Sequence, residues 1–329
     1  MKKLIYLLCF LYSTGTVAQS ASWLQVTTPT TKDLNCIVFP TPQVGYIGGV
    51  DSLLLKTTDG GLTWVELSYT GISFFPGGDD FMELDFITDE IGFATVGPYS
   101  GTYRTGDGGL TWTPLITSLA MCYNHGLYFF ADGEGFVGGS GCFQGEQMDK
   151  FLSGIGTPVT INTPSWQATD MIVDIDFDLN FFGSVGLAVS AGGRILRTTD
   201  SGLNWDTITS PLGNLVPLTS VTIVNSNLAY AGYDNGSGIG GLLVSTNGGL
   251  TWSFDPNTAT FYYPIFHDLH TTPLGTTYVG ATTTTLNTGF IMESVNSNIW
   301  NLYPVNEPIY SMTSYNDTVI WGAVKMGMW

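Results

Sequence analysis

Residues 56–64 read KTTDGGLTW. A threonine pair, an aspartate, two glycines and a tryptophan within nine positions fit a ligand loop, a cation site or a tight turn. Recurrence separates these readings. The stretch returns as RTGDGGLTW at 104–112, RTTDSGLNW at 197–205 and VSTNGGLTW at 244–252, with a worn copy, ESVNSNIWN, at 293–301. The tryptophans Trp64, Trp112, Trp205, Trp252 and Trp300 are spaced by 48, 93, 47 and 48 residues. The 93 is two periods, so one copy has lost its signature, and its place falls near SGIGTPVTI at 153–161. Each unit also carries a Gly-aromatic pair upstream, as in FPTPQVGYIGG from Phe39, FITDEIGFATV from Phe86 and FADGEGFVGG from Phe130. A unit of about 47 residues holding several short alternating runs between turns is the signature of four-stranded propeller blades.

Within each copy the apolar alternation stops at the acid and resumes after the glycines, which predicts a β-hairpin. Asp59 can accept backbone N–H groups two or three residues on. Gly60 and Gly61 supply positive φ where the chain reverses. Trp64 is then free to fill the wedge between blades. Asp107, Gly109 and Trp112 repeat the set, as do Asp200, Gly202 and Trp205. In the fourth copy the set is Asn247, Gly249 and Trp252. An amide can do an acceptor's job but not a catalytic carboxylate's. A residue found at several equivalent places serves each blade, whereas a ring has one centre.

Five marked units and the eroded one make six. Residues 308–329 have room for more strands without the signature. SASWLQVTT at 20–28 resembles the closing strand of a unit. The expected fold is therefore all-β, a single propeller of four-stranded blades. Seven blades are expected, with Trp23 and its neighbours closing the last and removing an open edge; six or eight stay open.

The ends and composition place the chain. Lys2 and Lys3 precede the apolar run Leu4 to Tyr12, with Thr16 and Ala18 before a cut at Gln19. Residues 1–18 read as a cleavable signal peptide and 19–329 as the propeller, in a secreted, extracellular or periplasmic protein. No later stretch has the ~18 apolar residues of a membrane helix. Without Lys2 and Lys3, seven basic residues face 27 acidic ones. Nucleic acid and anionic membranes need basic patches and are poor partners; no nucleic-acid binding and no membrane insertion are expected. Cys122 and Cys142 are close enough in sequence to be bridged in an oxidising compartment. Cys36 is left over, a small buried apolar residue by type. No CxxC spacing supports a thiolate metal site.

The motif S/T-x-D-x-G-x-T-W at 57–64, 105–112 and 198–205 is close to the Asp-box (bacterial neuraminidase, BNR) repeat. The longer pattern, a Gly-aromatic pair followed by a strand into K/R-T-x-D-G-G-x-T-W, resembles the photosystem II assembly-factor family of seven-bladed propellers. That resemblance covers nearly the whole mature chain and implies a binding or assembly role. Sialidases share the box, but their activity needs three arginines converging from different blades. Here the arginines are Arg104, Arg194 and Arg197. Arg104 and Arg197 are equivalent repeat positions and Arg194 is beside Arg197, so convergence is not expected, and shared fold does not carry shared chemistry.

Two acid-rich stretches remain. GGDDFMELDF holds Asp79, Asp80, Glu83 and Asp85, and DIDFD holds Asp174, Asp176 and Asp178. A glycosidase needs two carboxylates about 5–10 Å apart. The DIDFD acids alternate with Ile175 and Phe177, which places them on one side of a strand. That pattern lacks the glycine of an EF-type loop, leaving a looser Ca²⁺ site shared with a neighbouring blade, or acids bonded to backbone. His267 and His270 in HDLH lie three apart, on opposite faces of a regular strand, so they should not share an ion. The function read from the sequence is a non-catalytic, monomeric binding or assembly scaffold. It would recognise a protein or glycan at the cell surface through loops at the channel mouth, with 71–82 and 260–270 as candidate contacts and no cofactor required. The alternative is a glycosidase using paired carboxylates.

Overall fold

The structure is a computed structural model that describes residues 4–9, 22–73, 79–97, 101–115, 121–141, 145–152, 159–161, 170–178, 184–213, 216–235, 240–258, 264–283, 288–294, 299–316 and 319–324. These residues form antiparallel four-stranded sheets arranged as a β-propeller. Six blades are each cut from one contiguous stretch: 34–66, 80–115, 121–161, 172–208, 218–254 and 264–305. A further four-stranded sheet is assembled from both ends of the chain. Its inner strands are Ile309–Asn316 and Val319–Val324, its third is Leu4–Cys9 and its outermost is Ser22–Thr27. The first strand of every sheet packs on the first strand of the next, and that of the composite sheet packs on that of the first blade.

The composite sheet corrects the expected closure. One N-terminal strand around Trp23 was to close the last blade, but two N-terminal strands enter. Ser22–Thr27 pairs with Leu4–Cys9, from Leu4 opposite Thr27 to Cys9 opposite Ser22. Leu4–Cys9 in turn pairs with Val319–Val324, from Ile5 opposite Ala323 to Cys9 opposite Val319. The run read as the core of a leader thus occupies a strand position. The eroded repeat has its fourth strand at Val159–Ile161, while 153–158 lie outside the described residues.

The Gly-aromatic signature explains how blades adhere. A Cβ on Gly92 would stand 2.5 Å from the Phe86 ring of the same blade, so only glycine leaves that ring its place. The aromatic after the glycine reaches across to the next blade. Tyr46 stacks on Phe86 with centroids 3.7 Å apart, Phe93 on Phe129 at 3.5 Å and Phe136 on Phe177 at 5.0 Å. Trp321 stacks on Phe39 at 3.5 Å, carrying the pattern from the composite sheet to the first blade. Buried aromatic pairs of this kind add roughly 0.5–1.5 kcal/mol each beyond their area. Trp64 completes the same wedge, buried with Leu34, Ile37, Phe39, Ile47 and Trp321.

The four full turn copies close by one set of hydrogen bonds. Thr57 Oγ1 donates to Asp59 Oδ1 (2.8 Å) and accepts from Gly61 N (3.1 Å). Asp59 Oδ1 accepts Thr63 N at 2.9 Å, and Trp64 Nε1 donates to Gly61 O at 3.0 Å. Asp107 binds Thr111 N at 2.8 Å, and Asp200 binds Asn204 N at 2.9 Å. Trp112, Trp205 and Trp252 donate to the carbonyls of Gly109, Gly202 and Gly249. Asn247 Oδ1 accepts Thr251 N at 2.9 Å, so the amide fills the acid's place. At two boxes the basic residue that precedes the box is a stitch between blades. Lys56 Nζ donates to Gly108 O (3.3 Å) and Arg197 Nε to Gly248 O (2.6 Å), each in the next blade's turn. Lys150 Nζ reaches Ser201 O at 2.7 Å in the same way.

Candidate functional site

The first strands of all seven sheets line one central channel of about 640 Å³. Its wall carries Glu83, Asp85, Asp174, Asp176, Asp178 and Asp268, with His125, His267 and His270. The acids on three of these first strands reach the backbone of the next blade's first strand. Asp85 Oδ2 accepts Phe129 N (2.6 Å), Asp174 Oδ2 accepts Val221 N (2.8 Å) and Asp176 Oδ2 accepts Ile223 N (2.7 Å). Asp268 Oδ2 accepts Met312 N at 2.6 Å. Glu83 accepts from the backbone of Leu127. Hydroxyls serve at equivalent places: Ser220 Oγ accepts Leu269 N (3.1 Å) and Ser311 Oγ accepts Ile37 N (3.3 Å). A β-bulge in these strands breaks the regular register, as between Ile172 and Asp174, Leu218 and Ser220, and Phe266 and Asp268. Backbone N–H groups near a bulge lack ladder partners, and the neighbouring side chain supplies them.

Two of these acids are linked across blades. Ser220 Oγ lies 2.7 Å from Asp174 Oδ2 and 3.3 Å from Asp268 Oδ1. Enclosure by the ring disfavours the charged forms, and neighbouring acids reinforce the effect. Burial, against its hydrogen bonds, raises Asp174 to about 6. Asp85 is raised to about 7 by burial. Burial and then the Asp174 charge raise both Asp176 and Asp268 to about 7. Glu83 is pushed well above the usual carboxylate range by burial first, then by Asp174, Asp268 and Asp85. Burial lowers His270 to about 4, leaving its ring neutral near pH 7.

The acids proposed from the sequence are divided by the structure. Asp174, Asp176 and Asp178 border the channel, but Asp79 and Asp80 do not. Asp80 Oδ1 accepts Asp51 N (3.0 Å) and the Asp79 carbonyl accepts Ser52 N (2.9 Å), tying the second blade to a hairpin of the first. The expectation for the histidines is corrected. His267 and His270 both line the channel, because the bulge between Phe266 and Asp268 resets the alternation. They do not share a site: His267 Nε2 meets Thr282 Oγ1 and His270 Nε2 meets Ser314 Oγ, both at 2.7 Å. Arg194 Nε sits 3.7 Å from Asp170 Oδ2, and Arg197 is engaged with Gly248, so these two arginines have separate tasks. Asp268 was missed as a channel acid. Its signal was present, since positions 174, 220 and 268 recur at nearly the repeat period.

Among the described residues no three His, Cys, Asp or Glu side chains gather as a metal-binding group. Cys36 is a free, buried thiol whose pKa is raised by burial. Cys142, half of the proposed bridge with Cys122, lies outside the described residues, as do 74–78 and 260–263 of the proposed contact segments.

No family model and no curated protein matches the sequence. Solved structures do match in fold. YCF48 bound to D1 peptide is 18% identical, with a TM-score of 0.57 over 92% of this chain and 82% of that one. An ancestral GH74 enzyme is 14% identical with a TM-score of 0.63, and the match covers 90% of this chain but 44% of that one. The WD40 β-propeller domain of Doa1 is 14% identical with a TM-score of 0.59, over 89% of this chain and 90% of that domain. At such identities the likeness is one of fold. The propeller is common ground among YCF48 bound to a D1 peptide, a GH74 enzyme and a WD40 domain.

Proposed function

We propose that this chain is a secreted, monomeric Asp-box propeller, a ring of seven blades that acts as a non-catalytic scaffold and binds a polypeptide partner at the channel mouth. The observation that carries this reading is the use of the channel acids. Asp85, Asp174, Asp176 and Asp268 each accept a backbone N–H of the neighbouring blade. A carboxylate committed to holding a strand is poorly placed to exchange protons with a substrate. A rigid ring presenting loops at one mouth suits recognition. The peptide-bound state of YCF48 is the reason to test a polypeptide partner before a glycan. The leader read at residues 1–18 supports an encounter outside the cytoplasm.

One observation favours the glycosidase alternative. Channel acids raised to about 6 and 7 resemble the tuned acid such an enzyme needs. A panel of chromogenic glycosides decides between the readings. The scaffold reading expects no turnover by the secreted protein. Turnover abolished by Asp176→Asn, in a variant with an unchanged circular dichroism spectrum, establishes the glycosidase instead. Cross-linking on the native cell surface, followed by mass spectrometry, identifies the partner.

A further inference from the structure

The composite sheet joins the two ends of the chain through Leu4–Cys9. That strand has a partner on either side, Val319–Val324 and Ser22–Thr27, and these two do not pair with each other. Removal of residues 1–18 takes the middle strand away and leaves a slot with unpaired backbone on both walls.

The outer wall is anchored where it stands. Trp23 packs on the cluster of Tyr278, Ile291, Ile309 and Ile320, with its ring edge-on to Tyr278 at 6.3 Å. Val26 packs on the other face, against the cluster containing Trp64 and Trp321. Moving Ser22–Thr27 inward to meet Val319–Val324 shifts it by one strand spacing, about 4.8 Å, and takes both side chains off their seats. An open pair of edges with buried apolar flanks is a template for another strand.

We propose that the slot between Ser22–Thr27 and Val319–Val324 is a strand-acceptor site that takes an extended apolar segment of a partner polypeptide. This rests on the leader reading above. The chemistry of the guest follows from the walls. On the inner wall, Ile320 and Val324 face the cluster of the preceding blade, and Trp321 and Ala323 face that of the first blade. Both faces of this inner wall are therefore apolar, and a guest beside it must be apolar at successive positions, as in strands covered on both sides. The chain's own occupant, LIYLLC, has that pattern. A guest gains two ladders rather than one, which exceeds ordinary edge addition. Such a segment is hidden in a folded protein, so the partner presents it from an unfolded or membrane-destined stretch.

The test uses the processed protein collected from secreting cells. Intact mass first reads the N-terminus, and a chain that keeps Met1 defeats the leader reading itself, leaving no slot. With Gln19 first, the probe is a synthetic peptide of residues 4–9 flanked by lysines. Hydrogen exchange is followed at those amides of Ile320–Ala323 that point into the slot, since the alternate ones bond the strand Ile309–Asn316. The expected result is fast exchange in the free protein, saturable peptide binding, and new protection at these amides. A peptide carrying Leu7→Pro is expected to bind at least about tenfold more weakly, because proline removes a ladder donor. Full protection before peptide is added means the chain fills its own slot and overturns the proposal. Equal binding of the proline peptide also overturns it.

Discussion

At the scale of the residue, the repeated aspartate is an acceptor for backbone and hydroxyl groups. Asp59 takes Thr63 N and Thr63 Oγ1 while receiving Thr57 Oγ1. These bonds favour the ionised form and hold the Asp59 carboxyl below its usual range, led by the Thr63 hydroxyl. Asn247 keeps the geometry with no charge, its Nδ2 donating to Thr251 Oγ1 at 2.8 Å. The task is thus acceptance, and the charge is secondary. Asp59→Asn should change stability by less than about 0.5 kcal/mol, whereas Asp59→Ala should cost about 1 kcal/mol, as loss of a cap does. Urea unfolding of the two variants checks this. Equal losses would show that the negative charge itself matters.

At the scale of the element, the turn, the glycine and the aromatic form one device, and most of it was legible in the sequence. The period, the hairpin at each box and the tryptophan wedge follow from local chemistry that repeats. The Gly-aromatic pair was visible as a pattern, but not its partner, because Phe86 for Tyr46 lies in the next blade. The basic residue before the box was equally opaque, since its acceptor is a turn carbonyl about 50 residues on. Bulges defeated the face assignments, as His267 and His270 show, because one extra residue reverses alternation and no residue type announces it. The device makes a sharp prediction at Gly202. Its φ is +75°, and a Cβ there would collide with the Phe136 ring. Gly202→Ala should cost at least about 2 kcal/mol from left-handed strain and overpacking together. Gly106 has open space around its Cβ position and no positive φ, so Gly106→Ala should be neutral or slightly stabilising. Thermal melts of the two variants measure the contrast, and a Gly202→Ala protein as stable as the parent would refute the packing account.

At the scale of the whole molecule, the channel concentrates acids in a chain that is already strongly acidic, with a formal net charge of −18. The inter-blade clamps use the acids' oxygens as acceptors, and enclosure favours the protonated form. Folded-state values of about 7 for Asp85, Asp176 and Asp268, and about 6 for Asp174, stand above the ordinary value of 3.8. A raised carboxyl pKa means that the folded protein binds protons more tightly than the unfolded chain. The stability this contributes is fully present below about pH 4 and is lost as pH rises through 6 to 7. The box acids Asp59, Asp107 and Asp200 are shifted downward, so their contribution fades in the opposite, acidic direction, and His270, held neutral in the fold, opposes the four channel acids between about pH 6.5 and 4. The melting temperature should therefore climb as pH falls from 8 to 5, then turn over as the box acids protonate. Asp268→Asn removes one titrating group while an amide oxygen can still accept Met312 N, so it should flatten the climb without abolishing the fold. Calorimetry from pH 4 to 8 at constant ionic strength tests the sign. A melting temperature that rises toward pH 8 would mean that the channel acids are ionised and stabilising, and that the ring is held by charge-assisted bonds instead.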